Sequence, residues 1–246
     1  MRAAEMPDSD KDFRVDPDAA ADAVVPADPG CDAFSGQRLR AAHGGGFLLE
    51  LDNHVLTYLP GRGQRLVVTF DNLASLRETR DRTAWGQGFL QAQGFDILGV
   101  QIKRSDWFRD AGLIAALRDL HGDGFFARCP RVSLFGSSMG AYGALVFAPL
   151  APGCTVMAFA PQRSLDRALC PWEKRYRYAR TTYWTSDLPF GDAADGPPAT
   201  ARTYLAFDPH HGQDRKHAAA LAGPNTRLLP MPHAGHKLPP AFFTLA

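Results

Sequence analysis

Leu134-Phe135-Gly136-Ser137-Ser138-Met139-Gly140 carries a Gly-x-Ser-x-Gly pattern, and its flanks decide how it is read. Arg131-Val132-Ser133-Leu134-Phe135 before it is an apolar run of strand length, and Ala141-Tyr142-Gly143-Ala144-Leu145-Val146-Phe147 after it is a small-residue run of helical character. A strand that turns sharply into a helix lifts one side chain above the sheet in a strained backbone geometry. Glycines are needed on both sides because a Cβ does not fit there. Ser138 is that side chain and the candidate nucleophile. The plainer alternative is a Gly/Ser turn at a strand end, with Ser138 only capping the helix.

Outward from this turn the chain reads as alternating short strands and helices. Phe47-Leu48-Leu49-Glu50-Leu51 and His54-Val55-Leu56-Thr57-Tyr58-Leu59 flank Asp52-Asn53 as a hairpin. Arg65 to Phe70 is a third strand, Thr83 to Gln93 a helix stopped by Gly94, and Phe95 to Gln101 a fourth strand. Asp110 to Leu120 has apolar residues at helical spacing (Leu113, Ile114, Leu117, Leu120). Beyond Ser138 come strands at Cys154–Phe159, Thr203–Phe207 and Arg227–Met231, a helix near Arg215–Leu221 and a short C-terminal helix. This order implies an α/β fold with a mostly parallel sheet of about eight strands and helices on both faces. Ligands in such sheets bind beyond the carboxyl ends of the strands. Asp71, Ser138, Asp208 and His236 all follow strands directly.

A serine hydroxyl needs a base, and the base needs a partner that orients it. His236 is the favoured base, because Gly235-His236 lies in the turn after the last strand; His233 is the alternative. Asp208, in Phe207-Asp208-Pro209, is the favoured acid because the sheet holds it, unless it only shapes the turn. Asp214 is the other candidate, with a helix N-cap as its competing role. The oxyanion donors are the backbone N–H of Met139 and a second N–H from the turn Asp71-Asn72-Leu73, near Asn72. His210, His211 and His217 lack the spacing of a metal set, so no metal and no cofactor is expected.

The order Ser138, Asp208 or Asp214, His236 resembles the α/β-hydrolase superfamily over residues 45–246, through Gly136-Ser137-Ser138-Met139-Gly140-Ala141-Tyr142-Gly143-Ala144 and Gly235-His236. The resemblance implies an α/β-hydrolase domain over 41–246 with a cap-like insertion at 163–199. Two departures stand out: Phe70-Asp71-Asn72 replaces the His-Gly often found after the third strand, and the acid turn lacks the usual Gly-x-x-Asp. Asp71-Asn72, Trp107 and Pro161-Gln162 are also similar to members associated with bacterial surface glycans.

The superfamily resemblance implies a serine hydrolase of esters or thioesters. An acyltransferase with the same triad, or a non-catalytic accessory protein that keeps the fold, remains an alternative. The insertion mixes Trp172, Arg175, Tyr176, Arg177, Tyr178, Arg180, Tyr183 and Trp184, which suits a small-molecule or glycan ester, or simply covers the sheet. No nucleic-acid module surrounds these residues.

Charge and cysteines bound the rest. Residues 1–35 carry nine acidic and three basic side chains, leaving 24 basic and 17 acidic in the remainder, within a net charge of +1 over 246 residues. The segment 1–40 is therefore expected to be an acidic, disordered tail. Cys31, Cys129, Cys154 and Cys170 are scattered, no run reaches the ~18 apolar residues of a membrane helix, and no secretory signal is visible. A cytoplasmic location is expected; the oligomeric state is not legible.

Overall fold

Eight strands form one sheet among the described residues, which in this computed structural model are 33–236 except 64, 79, 185 and 186. The strands are β1 (Phe47–Glu50), β2 (His54–Leu59), β3 (Leu66–Phe70), β4 (Asp96–Ile102), β5 (Val132–Ser137), β6 (Thr155–Phe159), β7 (Arg202–Phe207) and β8 (Thr226–Pro230). Their order across the sheet is β1-β2-β4-β3-β5-β6-β7-β8. β1 and β2 pair antiparallel, as do β2 and β4, and every other neighbour is parallel. Parallel strands need crossovers. These run through α2 (Gln87–Ala92), α3 (Ala111–Gly122), α4 (Met139–Val146), α5 (Arg177–Tyr183) and α6 (Gly212–Ala220), while α1 (Ser35–Gly44) precedes the sheet.

The burial of each element follows from its residues. β3 and β4 are buried at every position, as expected for central parallel strands covered on both faces. α3 starts where Asp110 accepts a hydrogen bond from the Leu113 N–H at 2.9 Å, and it buries Leu113, Ile114 and Leu117. α4 is buried along its whole length, which its small residues permit. Its Gly140 lies so close to β3 that a Cβ would overlap the carbonyl oxygens of Phe70 and Asp71. A Cβ on Gly136 would in turn run into the Gly140 carbonyl. The glycines of the pattern are thus required by close backbone approach.

Some boundaries differ from those read in the sequence. The helix expected over Thr83–Gln93 is only Gln87–Ala92, because Gly86 takes a left-handed conformation (φ 73°) and Ala84 packs under Gly99 of β4. α1 begins at Ser35, so the last residues of the segment read as a 1–40 tail are helical here. Arg40 of that helix pairs with Asp81 at 2.8 Å, and Ala41 is buried beneath it. Residues 1–32 and the expected C-terminal helix lie outside the described residues. Cys129, Cys154 and Cys170 are free thiols, and no helix among the described residues is long and apolar enough to cross a membrane.

Candidate active site

Because β3 to β8 run parallel, the loops after them gather at one edge of the sheet. Ser138 follows β5 with φ 55° and ψ −117°, a conformation L-residues rarely adopt. Its N–H donates to the Phe159 carbonyl (2.8 Å), which ties the turn to β6. The side chain is thereby lifted off the sheet, and Met139 becomes the first residue of α4. The N–H groups of a helix's first turn have no partner inside the helix, and they sit at its positive end.

His236 Nε2 lies 2.9 Å from Ser138 Oγ, and His236 Nδ1 lies 2.6 Å from Asp214 Oδ2. The two bonds require Nδ1 to donate to the carboxylate and leave Nε2 to accept from the serine hydroxyl. His233, the alternative base, instead stacks on His210 (ring centroids 4.6 Å apart).

Of the two candidate aspartates, the structure brings Asp214, and not Asp208, to His236. Asp208 does sit at the end of β7, but both its oxygens bind backbone: Oδ1 accepts from the His210 N–H and Oδ2 from the Gly235 N–H, each at 2.8 Å. Burial pushes its carboxyl up, and these N–H groups outweigh it and hold the carboxyl low. Asp208 thus braces the turn that carries His236. Asp214 is not an N-cap either. His211 occupies the cap position of α6, with its Nδ1 3.4 Å from the Asp214 nitrogen, and the fully buried Asp214 side chain points at His236.

Asp214 has further company. His211 Nδ1 lies 3.2 Å from Oδ2, and Arg175 Nη1 donates to Oδ1 at 3.1 Å. Burial works against its charge, but His211, His236 and Arg175 dominate and hold the carboxyl far below the usual range. Behind Arg175 stands Glu173, whose Oε2 accepts from Arg175 Nη2 at 2.7 Å and lies 2.9 Å from His217 Nε2. None of these three was singled out in the sequence for this role. His217 three residues after Asp214 was the only local signal, since it lies on the same helix face; Glu173 and Arg175 are distant in sequence.

Glu173 illustrates the energetics. Burial raises its carboxyl, yet hydrogen bonds from His217 and Arg175 and the Arg175 charge bring it down to about 2 from an ordinary 4.5. A carboxyl depressed in the folded state stabilises it above the unfolded value and loses that contribution as pH falls toward the folded one, here between 4.5 and about 2. Glu173→Gln is expected to lower stability at pH 7 by roughly 3 kcal/mol, with the gap to the native protein closing below pH 4.5. Urea unfolding of both proteins at a series of pH values reads this directly, and a gap that persists unchanged to pH 3 contradicts it.

The loop expected to give the second oxyanion donor is tightly held. Asp71 is buried, its N–H donates to the Val100 carbonyl (3.1 Å), and its carboxylate pairs with Arg82 (2.7 Å) and accepts from the Ile102 N–H (3.2 Å). Burial still pushes its carboxyl up to about 6, against the opposing Arg82 charge. Asn72 caps the short 3-10 turn Leu73–Arg77 by accepting from the Ala74 N–H at 2.9 Å. The Asp71 N–H is therefore committed to the sheet, and the candidates narrow to Asn72 and Leu73.

The insertion at 163–199 packs on this edge. Tyr142 Oη donates to the Phe190 carbonyl (2.7 Å), and Arg163 grips Asp192 with two nitrogens. Trp184 lies against Tyr142, and Tyr176 against Trp107 at 4.7 Å. Trp107 Nε1 donates to Gln162 Oε1 (2.8 Å), joining two of the residues singled out in the sequence. Tyr176 is buried, and burial pushes its hydroxyl pKa up. Most of the insertion's aromatics are thus packing residues; Tyr178 stays exposed. Asp166, Arg167, Arg177, Arg180, Thr181 and Trp184 line a cleft of about 320 Å³.

Among the described residues, two clusters have metal-ligand composition: His211, Asp214 and His236, and His54, Asp106 and Asp110. In the first, the carboxylate already takes the hydrogen bonds described. In the second, Arg104 lies against both aspartates, at 3.1 and 3.3 Å, and supplies a positive charge there.

No protein-family model matches the chain, and no curated protein matches it in sequence. Solved structures do match. The capsule O-acetyltransferase of Neisseria meningitidis serogroup A aligns at TM-score 0.55 and 14% identity, covering 80% of this chain and 90% of that one. A mutant of the same enzyme in complex with CoA aligns at 0.53 and 14%, covering 80% and 93%. The glycosylation-associated protein complex of Streptococcus agalactiae aligns at 0.54 and 14%, covering 78% of this chain and 42% of that one. Likeness at this identity concerns the fold.

Proposed function

We propose that this chain, which has the α/β-hydrolase fold, is a serine hydrolase that cleaves a carboxylic ester or thioester through an acyl-enzyme. The unbroken line from Ser138 Oγ through His236 to Asp214, with spacings of 2.9 and 2.6 Å, carries this reading. Ser138 Oγ attacks the acyl carbon as its proton passes to His236 Nε2. Asp214 holds the Nδ1–H and stabilises the imidazolium that forms. Negative charge on the acyl oxygen is met by the Met139 N–H and by an N–H at Asn72 or Leu73, at the positive end of α4. When the carbonyl re-forms, the bond to the leaving alcohol or thiol breaks and the leaving group takes the proton from Nε2. Water then repeats the cycle on the acyl-enzyme and releases the acid.

Acyl transfer to a sugar hydroxyl differs only in the acceptor. The cleft lined by Arg167, Arg177 and Arg180 favours it as a second reading, because arginines in one hollow suit an anionic donor or glycan. The capsule O-acetyltransferase and its complex with CoA point the same way.

A fluorophosphonate probe tests the nucleophile. Ser138 Oγ forms a bond to phosphorus, fluoride leaves, and the hydroxyl proton goes to His236. Labelling is expected at Ser138 by mass spectrometry, and expected to vanish in Ser138→Ala and fall by at least about 1,000-fold in His236→Ala. A folded native protein that takes no label favours an accessory protein over either enzyme. Product analysis with and without a glycan acceptor then separates hydrolysis from transfer.

A further inference from the structure

We propose that the insertion is part of the active site rather than a cover, with Arg175 as the positioning residue that holds Asp214 in the orientation His236 needs. This rests on the reading of Ser138, His236 and Asp214 as the reacting groups.

A buried carboxylate turns about its terminal torsion with a broad preference unless both oxygens are held. Oδ2 of Asp214 faces His236 (2.6 Å) and His211 (3.2 Å). Oδ1 faces Arg175 Nη1 (3.1 Å), so the guanidinium fixes the oxygen that the histidine leaves over. The guanidinium is itself fixed. Its Nε lies 3.1 Å from each oxygen of Glu173 and its Nη2 2.7 Å from Oε2, while the Arg175 N–H donates to Oε1 at 2.8 Å. Glu173 is anchored to His217 (2.9 Å), and His217 Nδ1 accepts from the Arg163 N–H (3.2 Å). Asp214 and His217 stand on one face of α6 and are wholly buried, so the Glu173–Arg175 pair grips the helix at two points.

The charges also suit the role. Glu173 and Arg175 neutralise each other, so Arg175 orients Asp214 without cancelling the negative charge that an imidazolium at His236 requires. A planar fork can serve Glu173 and Asp214 at once, which a lysine ammonium does less well.

The test is the rate of fluorophosphonate labelling at Ser138 over a range of probe concentrations, which separates the maximal rate kinact from the half-saturation constant KI. Arg175→Met in the full chain is expected to lower kinact about 10–100-fold, as loss of a group supporting a reacting residue does, with KI within twofold of native. A folded Met variant with kinact within twofold of native overturns the proposal, whatever KI does. If the Met variant does not fold, Arg175→Lys is read instead: it keeps the charge and loses the fork. A kinact at least about fivefold below native supports the proposal, and a native kinact overturns it. Native protein without label overturns the serine reading and this inference together, whereas labelled native protein with an unaffected variant overturns this inference alone.

Discussion

Asp214→Asn is expected to lower turnover, or fluorophosphonate labelling at Ser138, by about 1,000- to 10,000-fold while the protein stays folded. An asparagine at this position has nearly the same shape but offers an amide donor where His236 Nδ1 needs an acceptor. If the oxygen faces Arg175, the NH₂ faces the ring, and His236 turns its tautomer so that Nε2 carries the proton and no longer accepts from Ser138. The matching change at the other aspartate separates the two roles. Asp208→Asn weakens the bonds from the Gly235 and His210 N–H groups and loosens the turn that carries His236. It touches no ring nitrogen, so its expected cost is smaller, about 10- to 100-fold, with a loss of stability. If Asp208→Asn proves the more damaging to kcat while both variants fold, the acid has been assigned to the wrong aspartate.

Gly140→Ala should be nearly as severe, for a purely steric reason. The new Cβ overlaps the carbonyl oxygens of Phe70 and Asp71, and neither side is a flexible side chain. α4 and the loop after β3 must move apart, which is expected to cost about 1–3 kcal/mol of stability. The same movement shifts the Met139 N–H away from the N–H groups of Asn72 and Leu73. A displacement on the order of 1 Å between paired donors is worth about 100-fold in rate. Gly88→Ala in α2 is the control, since a Cβ there meets nothing within 4 Å and alanine is the better helix former by about 1 kcal/mol. Thermal unfolding and labelling rate are measured for both. A Gly140→Ala protein with native rate and stability means that the turn yields more easily than its packing implies.

The sheet was legible because burial imposes a period of two residues along a strand and a continuous apolar run in the centre. β2 falls at His54–Leu59, as its apolar run indicates. The elbow was legible because its glycines answer a local demand: backbone meets backbone at Gly136 and Gly140. His236 was legible through Gly235, whose φ of 64° makes the turn. These features depend on a residue and its near neighbours, so composition and spacing carry them.

Which aspartate meets His236 was not of that kind. Asp208 and Asp214 stand six residues apart after the same strand, and local pattern favours the one held by the sheet. What decides is where the neighbouring chain puts its donors: two backbone N–H groups take both oxygens of Asp208, and the rise of α6 carries Asp214 to the His236 ring. The same holds for Arg175, which meets Asp214 across 39 residues of sequence with no motif to mark the pairing. Sequence alone therefore determined the α/β order, the strained serine turn and the turn that presents His236, because those are set by short-range sterics and burial. Only the tertiary structure decided which carboxylate faces His236 and what holds it there, because hydrogen bonds between distant segments depend on how the sheet and its insertion pack.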